Sequence, residues 1–280
     1  MGNTIGYGQA SVNNTIGYGQ GPTNNEISYG VAIESSYSPE TNLTGSSGWV
    51  DQTSFFYDSV DDKLISRSTF DTFDNATYFS ISMWVKVDNL SAVRTIFNSQ
   101  EASNYQTSIS INTLGRVDAA VTGSSSNWTR SASGVITVGN WHHIVVTLDN
   151  TLSRYSKLKI YVDNSRAGAT SNFFNAVIGS GTTAYIGGSP GGSAYGHINE
   201  VALWKDYTLT PSEVTAIYNN GTPTNLEDTT GLTRVPLNWV RSENATWNGR
   251  EFLVENYDNA SSEQWLSINM AEDQVQNDVP

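Results

Sequence analysis

The stretch Phe79-Ser80-Ile81-Ser82-Met83-Trp84-Val85-Lys86-Val87 decides the fold. Its odd positions are all apolar, while Ser80, Ser82, Trp84 and Lys86 occupy the even ones. Side chains two apart share one face of a strand, so the stretch reads as a half-buried β-strand. The same reading extends outward. Ile109 and Ile111 alternate with serine, and Val117, Ala119 and Val121 follow a turn at Leu114-Gly115-Arg116. Ile144-Val145-Val146 is a continuous apolar run, as in a central strand. Leu158, Ile160 and Val162 alternate with Lys157, Lys159 and Tyr161 and end at the Asp163-Asn164 turn. Tyr185-Ile186-Gly187-Gly188 starts another strand, and residues 198–204 give the last. Many short strands parted by turn residues predict an all-β antiparallel sandwich over residues 48–225, not a parallel sheet wrapped by helices.

One short helix is predicted inside that span. Thr210-Pro211-Ser212-Glu213 combines an N-cap, a proline at the first helical position and a capping-box glutamate. Val214, Ile217 and Tyr218 form an apolar stripe, and Gly221 is placed to end the helix.

The flanks differ in composition. Residues 1–47 form a polar, Gly/Asn-rich arm in which Asn3-Thr4-Ile5-Gly6-Tyr7-Gly8-Gln9 recurs as Asn14-Thr15-Ile16-Gly17-Tyr18-Gly19-Gln20. A third copy runs Asn25-Glu26-Ile27-Ser28-Tyr29-Gly30, so the period is eleven. In each copy Ile and Tyr sit two apart, on one face of a short strand. Such a strand cannot bury that face alone, which marks Ile5, Tyr7, Ile16, Tyr18, Ile27 and Tyr29 as anchoring positions. Because eleven is odd, turns must separate the copies. Residues 226–280 carry Trp239, Trp247 and Trp265, too aromatic for a free linker, and are expected to pack on the sandwich or a neighbouring subunit.

The chain has no cysteine, which excludes disulfides, thiolate catalysis and cysteine-ligated metals. Its 27 acidic and 14 basic residues give a net charge of −13, which argues against a nucleic-acid partner. No 18-residue apolar run is present, so no helical membrane insertion is expected. Residues 1–30 lack the basic and apolar regions of a signal peptide, which suits assembly into a particle followed by lysis.

At the level of motifs the strands resemble a known family. Residues 79–85 resemble the "fsisaWv" strand of laminin-G/concanavalin A-like domains, and Gly139-Asn140-Trp141-His142-His143-Ile144-Val145-Val146-Thr147 resembles their "WhHvavt" strand. Residues 158–164 are similar to "lkiYvDG", and residues 196–221 to "G.iDevriw" with its following helix. Asn164 stands where the family usually has glycine, and Asn199 where it often has aspartate. The resemblance implies a jelly-roll sandwich. The NTIGYGQ repeats and the closing Trp239-Val240-Arg241, Asn248-Gly249 and Asp278-Val279-Pro280 segments resemble bacteriophage virion proteins.

Candidate sites follow. Trp128, Tyr105 and Tyr195 are expected in loops, where exposed rings stack on sugars, with Asn127 beside them to bond hydroxyls. His142 and His143 are adjacent in a strand and point to opposite faces, so they cannot readily chelate one ion. Glycanases of this fold use closely spaced carboxylates, about 5 Å apart when retaining. Their E-x-D-x-x-E pattern is missing, Glu200 reads as a turn-holding carboxylate, and no catalytic residue is assigned. No cofactor is required. Calcium is compatible with the family, with Asp118, Asp149, Asp163 and Asn199 as donors, although no EF-hand loop is present. The expected function is that of a phage virion structural protein, a capsid- or tail-associated decoration or fibre component on the outer surface of the particle. Residues 1–47 would bind other virion proteins, the sandwich would contact host-surface glycan, and the assembly would be symmetric or homo-oligomeric. A dedicated extracellular lectin, calcium-dependent or not, is the alternative, and a polysaccharide depolymerase the third.

Overall fold

The structure, a computed structural model, describes residues 2–10, 13–21, 51–58, 60–67, 70, 73, 75–100, 106–122, 127–167, 170–172, 183–189, 192–256 and 264–280. The chain separates into two compact units, Met1–Thr41 and Asn42–Pro280.

In the first unit, β1 (Gly2–Ala10) and β2 (Asn13–Gly21) pair as an antiparallel hairpin. Ile5 lies opposite Tyr18 and Tyr7 opposite Ile16. Chain reversal therefore resolves the odd period, because each repeat pairs with its own copy running backwards. Ile27 and Tyr29 of the third copy lie outside the described residues.

The second unit is an antiparallel sandwich. Its eight-stranded sheet holds, in order, β12 (Ser165–Arg166), β11 (Leu158–Val162), β10 (Trp141–Asp149), β5 (Tyr78–Val87), β17 (Tyr195–Lys205), β3 (Ser54–Asp58) and β22 (Val275–Gln276). The eighth strand, β18 (Asn238–Val240), also pairs with β17. The ten-stranded sheet holds β13 (Thr170–Asn172), β9 (Trp128–Arg130), β8 (Val117–Thr122), β7 (Gln106–Ile111), β6 (Arg94–Gln100), β14 (Thr183–Ile186) and β4 (Lys63–Ser66). It continues through β21 (Gln264–Ile268), β20 (Phe252–Glu255) and β19 (Ala245–Trp247). A small ribbon, β15 (Gly188–Ser189) with β16 (Gly192–Ser193), completes the strands. Phe79, Ile81, Met83 and Val85 meet Phe97, Ile109 and Ile186 in the core between the sheets.

The half-buried reading of residues 79–87 needs correction. Ser80, Ser82 and Trp84 are buried as well as the apolar positions. A second apolar layer covers the outer face of the eight-stranded sheet, built from α1 (Pro211–Tyr218) and the segment after it. Val145, Tyr161, Ala202, Trp204, Val214, Ile217, Leu226 and Trp239 form this layer. The serines anchor it: Ser80 Oγ donates to Tyr207 O (3.0 Å) and accepts from Leu209 N (2.9 Å).

The helix carries the predicted capping box, with Thr210 N donating to Glu213 Oε2 at 2.8 Å. It ends earlier than predicted, at Asn219 with φ 45°, not at Gly221. Asparagine tolerates the left-handed region because its short polar side chain bonds locally. The same tolerance explains Asn164: Asp163 and Asn164 form the two-residue turn between β11 and β12 with φ of 47° and 63°. Residues 226–280 contribute strands to both sheets, β18 and β22 to one and β19, β20 and β21 to the other.

Candidate functional site

Registers across the ten-stranded sheet generate a row on its outward face. Leu253 pairs with Leu266, Leu266 with Ile65, and Ile65 with Tyr185. The row continues through Asn98, Ser108 and Ala120 to Trp128. The neighbouring row, Leu64, Ile186, Phe97, Ile109 and Ala119, points into the core, so alternation places Tyr185 and Trp128 outward. Both rings are half-buried. They are separated by four strand spacings, about 19 Å, the length of a short oligosaccharide rather than of one sugar.

Polar groups flank Trp128. The Arg130 guanidinium lies over its ring at 5.3 Å. Arg130 Nη2 also donates to Asp118 Oδ2 (2.9 Å), which Asn112 Nδ2 reaches at 3.1 Å. The bond to Asp118 raises the Arg130 pKa further, so the cation is permanent. Asn98 is 3 % exposed and presents little surface, but aromatic faces beside the Ser108 hydroxyl, the Asn112 amide and an ion pair suit binding of sugar rings and their hydroxyls.

The predicted aromatic cluster is only partly of this kind. Trp128 lies on β9 and Tyr195 on β17, so both belong to strands, a correction to their reading as loop residues. Their sheets differ, and Tyr195 packs against Phe56 (6.3 Å) beneath Arg94 (5.6 Å). Asn127 is 2 % exposed, and its carbonyl accepts from Val121 N at 2.8 Å. It holds the β8–β9 connection and presents little surface to a ligand. Tyr105 lies outside the described residues. Tyr185 and Ser108 were invisible to sequence reasoning because only the strand register places them in one row with Trp128.

The four proposed calcium donors do not converge. Asp118 pairs with Arg130, and Asp149 Oδ1 accepts from Thr151 N (2.9 Å). Asp163 accepts from His142 Nδ1 (2.7 Å) and His143 N (2.9 Å). Asn199 bonds Thr53 O (2.7 Å) and Ser242 N (3.0 Å). Among the described residues, Asp51, Glu200 and Glu243 instead bring carboxylate oxygens within 4.8 Å of one another. Arg241 shares this cluster: its Nε donates to Glu200 Oε1 at 2.7 Å, and its Nη2 lies 3.5 Å from Glu243 Oε2. Trp239 Nε1 takes the other Glu200 oxygen at 2.6 Å, and Gln52 N and Thr53 N take Glu243 Oε1 at 3.0 Å each. Calcium requires six to eight oxygen ligands. The cluster does not fit it, because most oxygens are committed and a guanidinium already occupies it beside the carboxylates.

Glu200 also departs from its expected turn role. It sits in a bulge of β17 with φ 54°, 4 % exposed, bonded to residues about forty positions onward. Burial is the main reason its pKa rises to about 7, with Arg241 opposing the shift. Burial likewise pushes Asp51 up to about 10, assisted by Glu200 and Glu243, so the cluster retains a proton at neutral pH.

The histidines diverge as alternation requires. His142 Nε2 accepts from Thr137 N (3.0 Å), so its proton is on Nδ1, toward Asp163. His143 packs in a three-ring cluster with Trp84 (4.8 Å) and Tyr218 (5.9 Å), which also stack on each other, and bonds Ser82 Oγ at 2.7 Å. Burial lowers its pKa to about 3, leaving it neutral. It lines a cavity of about 10 Å³, shared with Ser82 and Glu200, which has room for about one water and no substrate.

Among the described residues no helix is long and apolar enough to cross a membrane. No curated protein matches the chain. A carbohydrate-binding-protein candidate from Bacteroides ovatus ATCC 8483 superposes with a TM-score of 0.57 at 14 % identity. The match covers 82 % of this chain and 60 % of that protein. The heptameric SAP-like pentraxin of Limulus polyphemus gives 0.48 at 18 % identity, covering 60 % and 83 %. Domains LG4-5 of the mouse laminin α1 chain give 0.44 at 15 %, covering 57 % and 44 %. The profile of the Concanavalin A-like lectin/glucanases superfamily matches residues 58–215, more than half of the chain.

Proposed function

Because the chain belongs to the concanavalin A-like lectin/glucanase superfamily, we propose that it is a non-catalytic carbohydrate-binding protein displayed on an assembled particle. The setting implied by the flanking sequences is the outer surface of a phage virion, as a capsid- or tail-associated component. The sandwich would contact host-surface glycan, and the repeat arm would bind other virion proteins. The observation that carries the binding role is the outward row from Tyr185 to Trp128, with Arg130 and Asp118 beside it. Support for a non-catalytic role is chemical. Asp118 is ion-paired, and Glu200 is sealed beneath Trp239 and Arg241. Neither is free to serve as acid or nucleophile. The hairpin in which repeats pair with repeats supports an assembling arm.

A panel of bacterial surface polysaccharides tests the binding role. Retention of at least one, without chain shortening, is expected, and no retention across the panel would reject it. Release of reducing ends would instead favour a depolymerase. Loss of retention in chelator would favour a calcium-dependent lectin. Removing residues 1–47 should abolish incorporation into particles while leaving the sandwich folded, and normal incorporation would reject the anchoring role.

A further inference from the structure

A second row of side chains crosses the eight-stranded sheet, on the face away from the core. Trp141 pairs with Lys86, Lys86 with His197, and His197 with Phe56. Two hydrogen-bond donors, Trp141 and Lys86, thus stand on adjacent strands beside the His197 imidazole, with Phe56 beyond it. Phe56 and Trp141 lie 5.1 and 5.9 Å from the His197 ring. Both donors aim at one carboxylate, that of Asp278. Trp141 Nε1 donates to Asp278 Oδ1 at 2.9 Å, Lys86 Nζ bonds Oδ2, and His197 Nε2 lies 3.6 Å from Oδ2.

The donors and their occupant are held differently. Lys86, Trp141 and His197 belong to strands of nine to eleven residues. Ser54 Oγ donates its proton to the Asp278 carbonyl and so accepts from His197 Nδ1 at 3.0 Å, which fixes that ring with its Nε2 unprotonated, as its burial favours. Asp278 comes from the segment after the two-residue strand β22, and its side chain is a third exposed. Its main chain is held by one bond from Ser54 Oγ to its carbonyl, at 2.5 Å. The receptor is therefore rigid, while the carboxylate filling it is peripheral.

We propose that Trp141 and Lys86, walled by the His197 ring, form a carboxylate-recognition site, filled by the chain's own Asp278, that takes the carboxylate of an acidic sugar when Asp278 swings away. A cation and an indole N–H bind a carboxylate at both oxygens, and charge-assisted bonds of this kind are the strong ones. Phe56 and Trp141 supply the apolar faces that a pyranose carrying the carboxylate would lie against. The site is on the opposite sheet from the Tyr185–Trp128 row, so it stands or fails independently of the function proposed above.

The test uses Asp278→Ala in the full chain, titrated with glucuronate, acetate and glucose, and read by the shift of the Trp141 indole N–H resonance. Saturable glucuronate binding with a Kd of about 1 mM is expected, at least about tenfold tighter than in the wild type, where Asp278 competes. Acetate binding more weakly than glucuronate would assign the site to acidic sugars, and equal affinity to carboxylates in general. Lys86→Ala added to Asp278→Ala should remove the binding. No saturable shift with glucuronate, or an equal response to glucose, would overturn the proposal. Should Asp278→Ala fail to fold, Asp278→Asn retains an acceptor for the indole while removing the competing charge. It should show the same order of affinities among the three probes, and a flat titration there would be equally decisive.

Discussion

Replacing Arg241 with methionine tests the buried charge cluster that joins β17 to residues 239–243. Arg241 and Glu200 are each about 5 % exposed, and one short bond joins them. The guanidinium also faces Glu243 and stacks on Trp239 at 5.0 Å. Methionine keeps much of the volume but removes the only cation in contact with these carboxylates among the described residues. Breaking a buried ion pair from one side costs about 3–5 kcal/mol, because an uncompensated charge is left behind. Urea unfolding should show that loss at pH 8. Protonating the carboxylates relieves the unpaired charge, so the loss should shrink toward pH 5. The wild-type pH dependence has the same sign. Burial raises the Glu200 pKa above its unfolded value, so its contribution is full below about pH 4.5 and declines as pH rises through about 7. Adding Glu200→Gln to Arg241→Met should recover most of the loss, since neutral isosteres avoid the desolvation of both charges. A loss under about 1 kcal/mol at pH 8, or a double variant no better than the single one, would refute the reasoning.

Two further outcomes concern the fold. Burial disfavours the Glu213 carboxylate, but bonds from Thr210, Tyr207 and Thr233 outweigh it and hold its pKa at about 2. This contribution is present above about pH 4.5 and lost as pH falls toward 2, so Glu213→Gln should cost about 2 kcal/mol at pH 7 and flatten the acid limb of a stability profile. Gly187 has φ +78°, and a Cβ there would lie 1.9 Å from the ring of the fully buried Tyr57. Gly187→Ala should therefore destabilise by about 3 kcal/mol or more in thermal unfolding, and an unchanged transition would contradict the packing described.

The long strands were legible because their hydrophobic period is sustained. Residues 79–87, 141–149 and 158–162 form central strands of one sheet. The capping box was legible because it is local, three residues from Thr210 to Glu213. The second apolar layer was not, since alternation records which side chains face the core but not what covers the other face. β18, β20 and β21 escaped notice because three to five residues are too few to show a period, and their partners lie far away in sequence. The role of Glu200 depends on Trp239 and Arg241, to which no local pattern points. Likewise, Tyr185 and Trp128 share a face only through four successive registers, the first of which joins strands more than eighty residues apart.

The central claim is that sugar lies along the outward row of the ten-stranded sheet and is not cleaved. Its most direct test is a calorimetric titration of a panel-selected polysaccharide fragment into the wild type and into Trp128→Ala, checked for equal unfolding temperature. The account predicts at least about a tenfold loss of affinity in the variant, with the fragment recovered at its original mass. Equal affinity in the two proteins, or a shortened fragment, would contradict it.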